Sequence, residues 1–246
     1  PPSNRFNETD GKEVRLQLLG TKHPLLGMKA VPINVLINSG GSVLIITGPN
    51  TGGKTVTMKT VGLLAAMNQS GLHIPAEANS FLPVFDGIYA NMGDQQSIRE
   101  SASSFSSHIR SIIEILHHAT PNSLALLDEL GTSTDPEEGS ALAKAILTNL
   151  ASSGTITIAT THHRSVATHA EVTPGMMNAS VDFDPDTMTP NYQLTLGVPG
   201  TSHAMSVAEQ LGMPEGIMDQ ARSLVAPDHT LFKTWVNKLQ HERNRL

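Results

Sequence analysis

The chain contains no cysteine among its 246 residues. That absence removes disulfide frameworks, thiolate-zinc centres and cysteine nucleophiles together, and it suits a reducing compartment. Aromatic residues make up only 4% of the chain, which leaves little material for base-stacking platforms. Positive charge is also in short supply. Sixteen Lys and Arg stand against 22 Asp and Glu, a formal net charge of -6, so no chain-wide basic footprint is offered to a phosphate backbone. Contact with nucleic acid would need a local patch or segments outside these residues. No apolar run approaches the roughly 20 residues of a membrane helix, and no charged-then-apolar signal segment opens the chain. These features predict a cytoplasmic protein with no membrane partner. The opening PPSNRF, without methionine, and the charged, helix-like ending NKLQHERNRL predict a piece of a longer protein.

What is present points to an α/β fold. A length of 246 residues with 39% hydrophobic content allows one large domain, or a domain with a small appendage. Short β-rich runs at residues 43–47, 88–90, 124–127 and 155–159 are separated by stretches long enough for helical crossovers, which predicts a mostly parallel sheet flanked by helices. Phe105, Ile109, Ile112, Ile113 and Leu116 share one helical face. In TDPEEGSALAKAILTNL, Asp135 is placed to cap, Pro136 to open the helix, and Glu138 to complete a capping box. Leu142, Ala145, Ile146 and Leu150 then form the expected buried stripe, and Gly154 the stop.

Beyond Ala170, MMNASVDFDPDTMTPNYQLTL alternates on both sides of the turn-forming DPDT and predicts a β-hairpin. Two short helices are expected at 202–211 and 214–225, followed by a docking stripe of Phe232, Trp235, Val236 and Leu239. The expected division is a core over residues 1–200 and a C-terminal helical dimerisation or linker region over 201–246, within one structural unit. Asp182, Asp184 and Asp186 alternate beside the hairpin turn and read as solvated acids.

The sharpest signal is GPNTGGKT at residues 48–55, which follows the apolar VLIIT and precedes a helix-period run. Gly48-x-x-x-x-Gly53-Lys54-Thr55 is the P-loop pattern, with a strand before it and a helix after it as that pattern requires. A polyphosphate must lie against backbone N–H groups, so side chains are excluded where the chain turns over it; Gly48, Gly52 and Gly53 meet that demand. The helix expected from about Thr55 adds its first N–H groups and the positive end of its dipole. Lys54 is placed to reach the outer phosphates, and the Thr55 hydroxyl to ligate Mg2+.

A second element is SLALLDE, an apolar strand ending in Asp128 and Glu129. Asp128 would hold Mg2+ directly or through water, and Glu129 would orient and activate an attacking water. The third is TITIATTHH, a strand that delivers Thr160, Thr161 and His162 to the same sheet edge, where a histidine can contact a γ-phosphate or that water. Strand alternation turns His163 away from whatever His162 faces. A metal set of His162, His163 and His169 has no carboxylate or cysteine partner at suitable spacing.

The order of the segments GPNTGGKTVTMKTVGLLAAMNQSGLHIPA, GDQQSI, SSFSSH, DELGTSTDPEEG, ATTHH and LGVPGTSHAMSVAEQLGMP resembles an ABC-type ATPase of the MutS family, specifically its second bacterial branch, MutS-two. The likeness covers residues 22–225. It implies that Gly48, Pro49, Asn50, Thr51, Gly52, Gly53, Lys54, Thr55 and Val56 bind ATP, that Thr55 and Asp128 hold Mg2+, and that Glu129 handles water. His162 is then the switch histidine. Ser103, with Ser104 beside it, would reach across a head-to-tail homodimer to the γ-phosphate held by the partner, so that the ATP sites are composite. KHPLL matches the approach to the adenine pocket, which places His23, Val31 and Pro32 near the base.

The branch restrains recombination and acts on stalled ribosomes, so the resemblance implies a motor for arms that grip branched DNA or the ribosome. Those arms, and the nuclease-like domain many members carry, would lie outside this chain. Departures are Gln95 for glutamate, Ser104 for threonine, GTST for GAGT, and His163 for tyrosine. None removes a group that handles phosphate, metal or water. Other readings are a nucleotide-gated interaction module with little hydrolysis, a mismatch-repair MutS ATPase, and a transporter subunit. The last lacks the LSGGQ wording, and Thr51 stands where mismatch-repair MutS is expected to show methionine.

Overall fold

A computed structural model describes residues 13–49, 52–92, 101–132, 134–184, 189–200 and 204–224, with Val236 and Lys238; at 101–105, 182–184, 189–190 and 204 it describes the backbone alone. The described elements form a mixed α/β fold. Strand β1 (Val14–Thr21) pairs antiparallel with β2 (Ile33–Asn38), and a 3-10 turn, Pro24–Lys29, lies between them. Then follow β3 (Gly41–Thr47), α1 (Lys54–Gln69), β4 (Ile88–Asn91), α2 (Ser101–His118), β5 (Leu124–Leu127), α3 (Pro136–Ser153) and β6 (Ile156–Thr160). The remaining elements are α4 (Arg164–Val172), β7 (Gly175–Asp184), β8 (Thr189–Leu196), α5 (Ala204–Gln210) and α6 (Glu215–Leu224).

The main sheet runs β4-β5-β6-β3-β7-β8, parallel throughout except for the antiparallel β7–β8 hairpin. Every residue of β3 is buried, because the strand is covered on both faces. Its side chains alternate between two cores. Leu44 and Ile46 join Met58, Val61 and Leu64 of α1 and the inward residues of β1 and β2. Val43 and Ile45 join Ile112 and Ile115 of α2, Ala143, Leu147 and Leu150 of α3, and Val166 of α4. Among the described residues, no helix is long and apolar enough to cross a membrane.

Several local expectations hold, and others shift. Asp135 caps α3, its side chain accepting from the N–H groups of Glu137 and Glu138, and Gly154 ends that helix in the left-handed region at φ 74°. The buried face of α3 is turned relative to the expected stripe. Ala143, Ile146, Leu147 and Leu150 face inward, whereas Leu142 and Ala145 are exposed. At its start α3 approaches the turn after β5 closely, since a Cβ on Gly139 would run into the carbonyl of Gly131. Likewise Ile115 replaces Ile113 on the inner face of α2. The β1–β2 pair was not anticipated, although VRLQLLGT and INVLIN carry period-2 apolar patterns. Of the expected C-terminal stripe, Phe232, Trp235 and Leu239 lie outside the described residues, and Val236 is buried.

Candidate functional site

The turn after β3 and the start of α1 form an anion cradle. Gly53 is the N-cap of α1 at φ 90°, a left-handed conformation that favours glycine, and a Cβ there would lie 3.0 Å from the ring of Tyr192. A glycine cap also has no side chain to occupy the first-turn N–H groups, which leaves that helix end suited to an anion. Lys54 is 3% exposed, and its Nζ donates to the Gly48 carbonyl at 2.7 Å. Burial lowers its pKa from the ordinary value, an effect opposed by the charges of Glu129 and Asp128. Gly48, Pro49, Gly52, Thr55 and Val56 occupy the same turn and the first turn of α1; Asn50 and Thr51 lie outside the described residues.

Asp128 faces this cradle. Asp128 follows β5 and is 3% exposed. The Thr55 hydroxyl donates to its carboxylate, 3.1 Å from Oδ1 and 3.0 Å from Oδ2. Strand β6 lies between β5 and β3, and its last residue, Thr160, closes the arrangement. The Thr160 hydroxyl donates to Asp128 Oδ1 at 2.5 Å and accepts the N–H of Glu129 at 2.8 Å. Glu129 has φ 47°, rare for a residue with a side chain and the kind of backbone strain found at functional sites.

The rest of the acid turn is tied down from β6 and beyond. Leu130 N–H donates to the Thr160 carbonyl at 2.9 Å, and the Thr161 hydroxyl donates to the Leu130 carbonyl at 3.0 Å. The Thr132 hydroxyl donates to the Glu129 carbonyl at 2.8 Å.

The two histidines divide the labour differently from the alternation argument. Strand β6 ends at Thr160, so period-2 alternation does not extend to them. His163 Nε2 lies 2.9 Å from the Gly131 carbonyl, which makes it the donor and supports the acid turn. His162 lies beside it, ring centroids 5.0 Å apart, and is more exposed. Partial burial of its ring, then His163, lower its pKa from the ordinary value; Glu129 opposes and Lys54 reinforces the shift. His169 is engaged elsewhere, 2.9 Å from the Thr148 hydroxyl.

A hydroxyl and a carboxylate meeting at a helix N-terminus form a hard-oxygen donor set, which fits Mg2+ held by one or two protein oxygens plus phosphates. Beside the cradle is a cavity of about 370 Å³ lined by His23, Val31, Gly53, Val56, Thr60 and Tyr192, among others. His23 and Val31 are thus brought to the cradle's flank, whereas Pro32 is not among the lining residues. Tyr192, which motif reasoning overlooked, stands over Gly53 with φ 60°. Its signal was an aromatic in a chain with few, on the second hairpin strand. Ser103 and Ser104 belong to α2 by backbone, and their side chains lie outside the description.

Comparison with known proteins agrees with this arrangement. Residues 44–227 match the family described as MutS domain V. A protein of Halothermothrix orenii named Endonuclease MutS2 is 46% identical over 230 residues, covering 94% of this chain and 29% of that protein. Its namesake from Thermomicrobium roseum is 51% identical over 213 residues, covering 86% of this chain and 27% of that protein. One from Clostridium botulinum is 46% identical over 228 residues, with 92% and 29% covered. The chain thus spans less than a third of the length of these relatives. Because the family match runs from β3 through α6, and so takes in the cradle and the acid turn together, the chain belongs to the MutS family as its domain V, the P-loop ATPase domain.

Proposed function

We propose that this chain binds ATP with Mg2+ and hydrolyses it, as the motor domain of a MutS-two protein. The observation that carries the reading is the meeting of Thr55 and Asp128 at 3.0 to 3.1 Å, directly at the front of the helix that Lys54 opens. The first-turn amides of α1 and Lys54 hold the phosphates. Thr55 and Asp128 would hold Mg2+, whose positive charge would stabilise the transferring phosphoryl group. Glu129, fixed by its strained turn, accepts the proton of the attacking water, and His162 contacts that water or the γ-phosphate. His23, Val31 and Tyr192 receive the base.

The same reading takes the domain as ABC-type. Two copies close head to tail on ATP, with Ser103 of each completing the other's site, and residues 201–246 contribute to dimerisation. Closure and reopening move arms that grip branched DNA or the ribosome, supplied by parts of the protein outside this chain, in the cytoplasm. The names of the relatives, Endonuclease MutS2, support the branch assignment and a DNA substrate for the whole protein.

The test measures ATP affinity, phosphate release and molecular mass together, with and without Mg2+. Binding, turnover and an ATP-dependent rise in mass are expected. Lys54→Ala should lower ATP affinity by about 100-fold or more, because a buried cation facing the phosphates is lost. A parent chain that binds ATP but releases no phosphate even at high concentration would reduce the function to a nucleotide-gated interaction module.

A further inference from the structure

Asn91 is the last residue of β4 and is buried at 5% exposure. It makes two bonds that run in opposite directions. Its carbonyl accepts the N–H of Asp128 at 2.9 Å, and its side-chain Nδ2 donates to the His108 carbonyl in α2 at 2.9 Å. One residue thus joins the metal-facing acid to the helix on which Ser103 rides, five positions ahead of His108.

Among the described residues, two side-chain ties join β4 to α2, one in each half of the helix. Toward its C-terminal end, Ile112 and Ile115 are buried in the core, and Tyr89 Oη donates to the His118 carbonyl at 3.3 Å. Toward its N-terminal end, Ser106, Ser107 and Arg110 are exposed and Ile109 is only partly buried. The bond from Asn91 ties β4 to this half. Asn91 Oδ1 and His108 Nε2 are buried without a partner among the described residues.

We propose that Asn91 is a positioning residue that transmits the state of the nucleotide site from Asp128 to the N-terminal half of α2. The proposal rests on the reading of the cradle as an ATP site. With Thr55 and Asp128 holding a cation beside the phosphates, a shift of the Asp128 backbone would reach Asn91 through its carbonyl and α2 through Nδ2. The C-terminal half of the helix, fixed by its packing, acts as the pivot. Coupling of this kind requires a continuous chain of bonds and a responsive element at its end.

Backbone hydrogen exchange of residues 106–118, recorded with and without ATP and Mg2+, tests this in the 246-residue chain. In the parent, exchange in the N-terminal half of this stretch should change by roughly two- to thirtyfold on ATP binding. Asn91→Leu, which keeps the volume, and Asn91→Ala, which avoids crowding, should each keep ATP affinity within about twofold while losing most of that response. Tyr89→Phe, which removes only the far tie, should keep both. A response that persists in both Asn91 variants overturns the linkage. So does a joint fall of response, ATP affinity and Tm, the signature of a merely structural asparagine. If the parent binds ATP and α2 does not respond, the linkage alone is wrong; if the parent does not bind ATP, the reading of the cradle is wrong and takes the linkage with it.

Discussion

The acid turn and the neighbouring cavity are adjacent but built in opposite ways. Around Asp128 and Glu129, hydroxyls of Thr132, Thr160 and Thr161 tie down the chain, and Asp128, Thr160 and Thr161 are almost completely buried. The cavity is mainly apolar and is bounded by the Pro24–Lys29 turn, in which Leu25 is 82% exposed and none of the residues is buried. Charge developing on a phosphoryl group needs preorganised partners, because they act without reorganising during the reaction. A planar base needs only area and shape, which a looser wall supplies. Hydrogen bonds are concentrated at the acid turn, where the proposed function places the charge.

The variants that break this contrast follow in order of expected size. Glu129→Gln removes the proposed proton acceptor while keeping the shape of the turn; turnover should fall by about 10²- to 10⁴-fold with ATP still bound, as single-turnover kinetics and ATP titration would show. Unchanged turnover would take Glu129 out of the reaction. Thr160→Val deletes the hydroxyl shared by Asp128 and Glu129. It should cost about 2 kcal/mol of stability in denaturant unfolding, since a bond to a carboxylate is lost and a buried N–H is left unpaired, and slow turnover by about tenfold. Tyr192→Ala, on the cavity side, should weaken ATP binding by about fivefold, roughly 1 kcal/mol, and leave kcat unchanged. A fall in kcat there would show that the cavity wall also sets the chemistry.

The smallest effect is expected from pH. The folded-state pKa of His162 lies below its ordinary value of 6.5, so the unfolded chain takes up that proton more readily. The stability contributed by neutral His162 is complete above 6.5 and is lost as the pH falls through the depressed folded value. His162→Gln should therefore flatten the acid side of a Tm-versus-pH curve, and only slightly, because the residue is exposed.

Much of this was legible before the fold. GPNTGGKT marks the cradle, DE the acid turn, and Asp135 with Gly154 the ends of α3, because each depends on residue type within a few positions. The strand at 124–127 appears with the expected ends, since four apolar residues between turn signals have little freedom. Local pattern failed where a neighbour distant in sequence made the choice. The orientation of His163 was chosen by the Gly131 carbonyl after β6 had ended. Tyr192 reached Gly53 only through the hairpin pairing of β7 with β8.

By itself, then, the sequence determined which groups can grip phosphate and hold a cation, because glycine, lysine, hydroxyl and carboxylate carry those capacities wherever the chain takes them. Only the tertiary structure decided that Thr160 serves both acids and that Asn91 bonds to Asp128 on one side and α2 on the other. Those roles arise from strand order, β5 beside β6 and β4 beside β5. Strand order is set by how two cores are buried at once on opposite faces of one sheet, a constraint on the whole chain that no short segment contains.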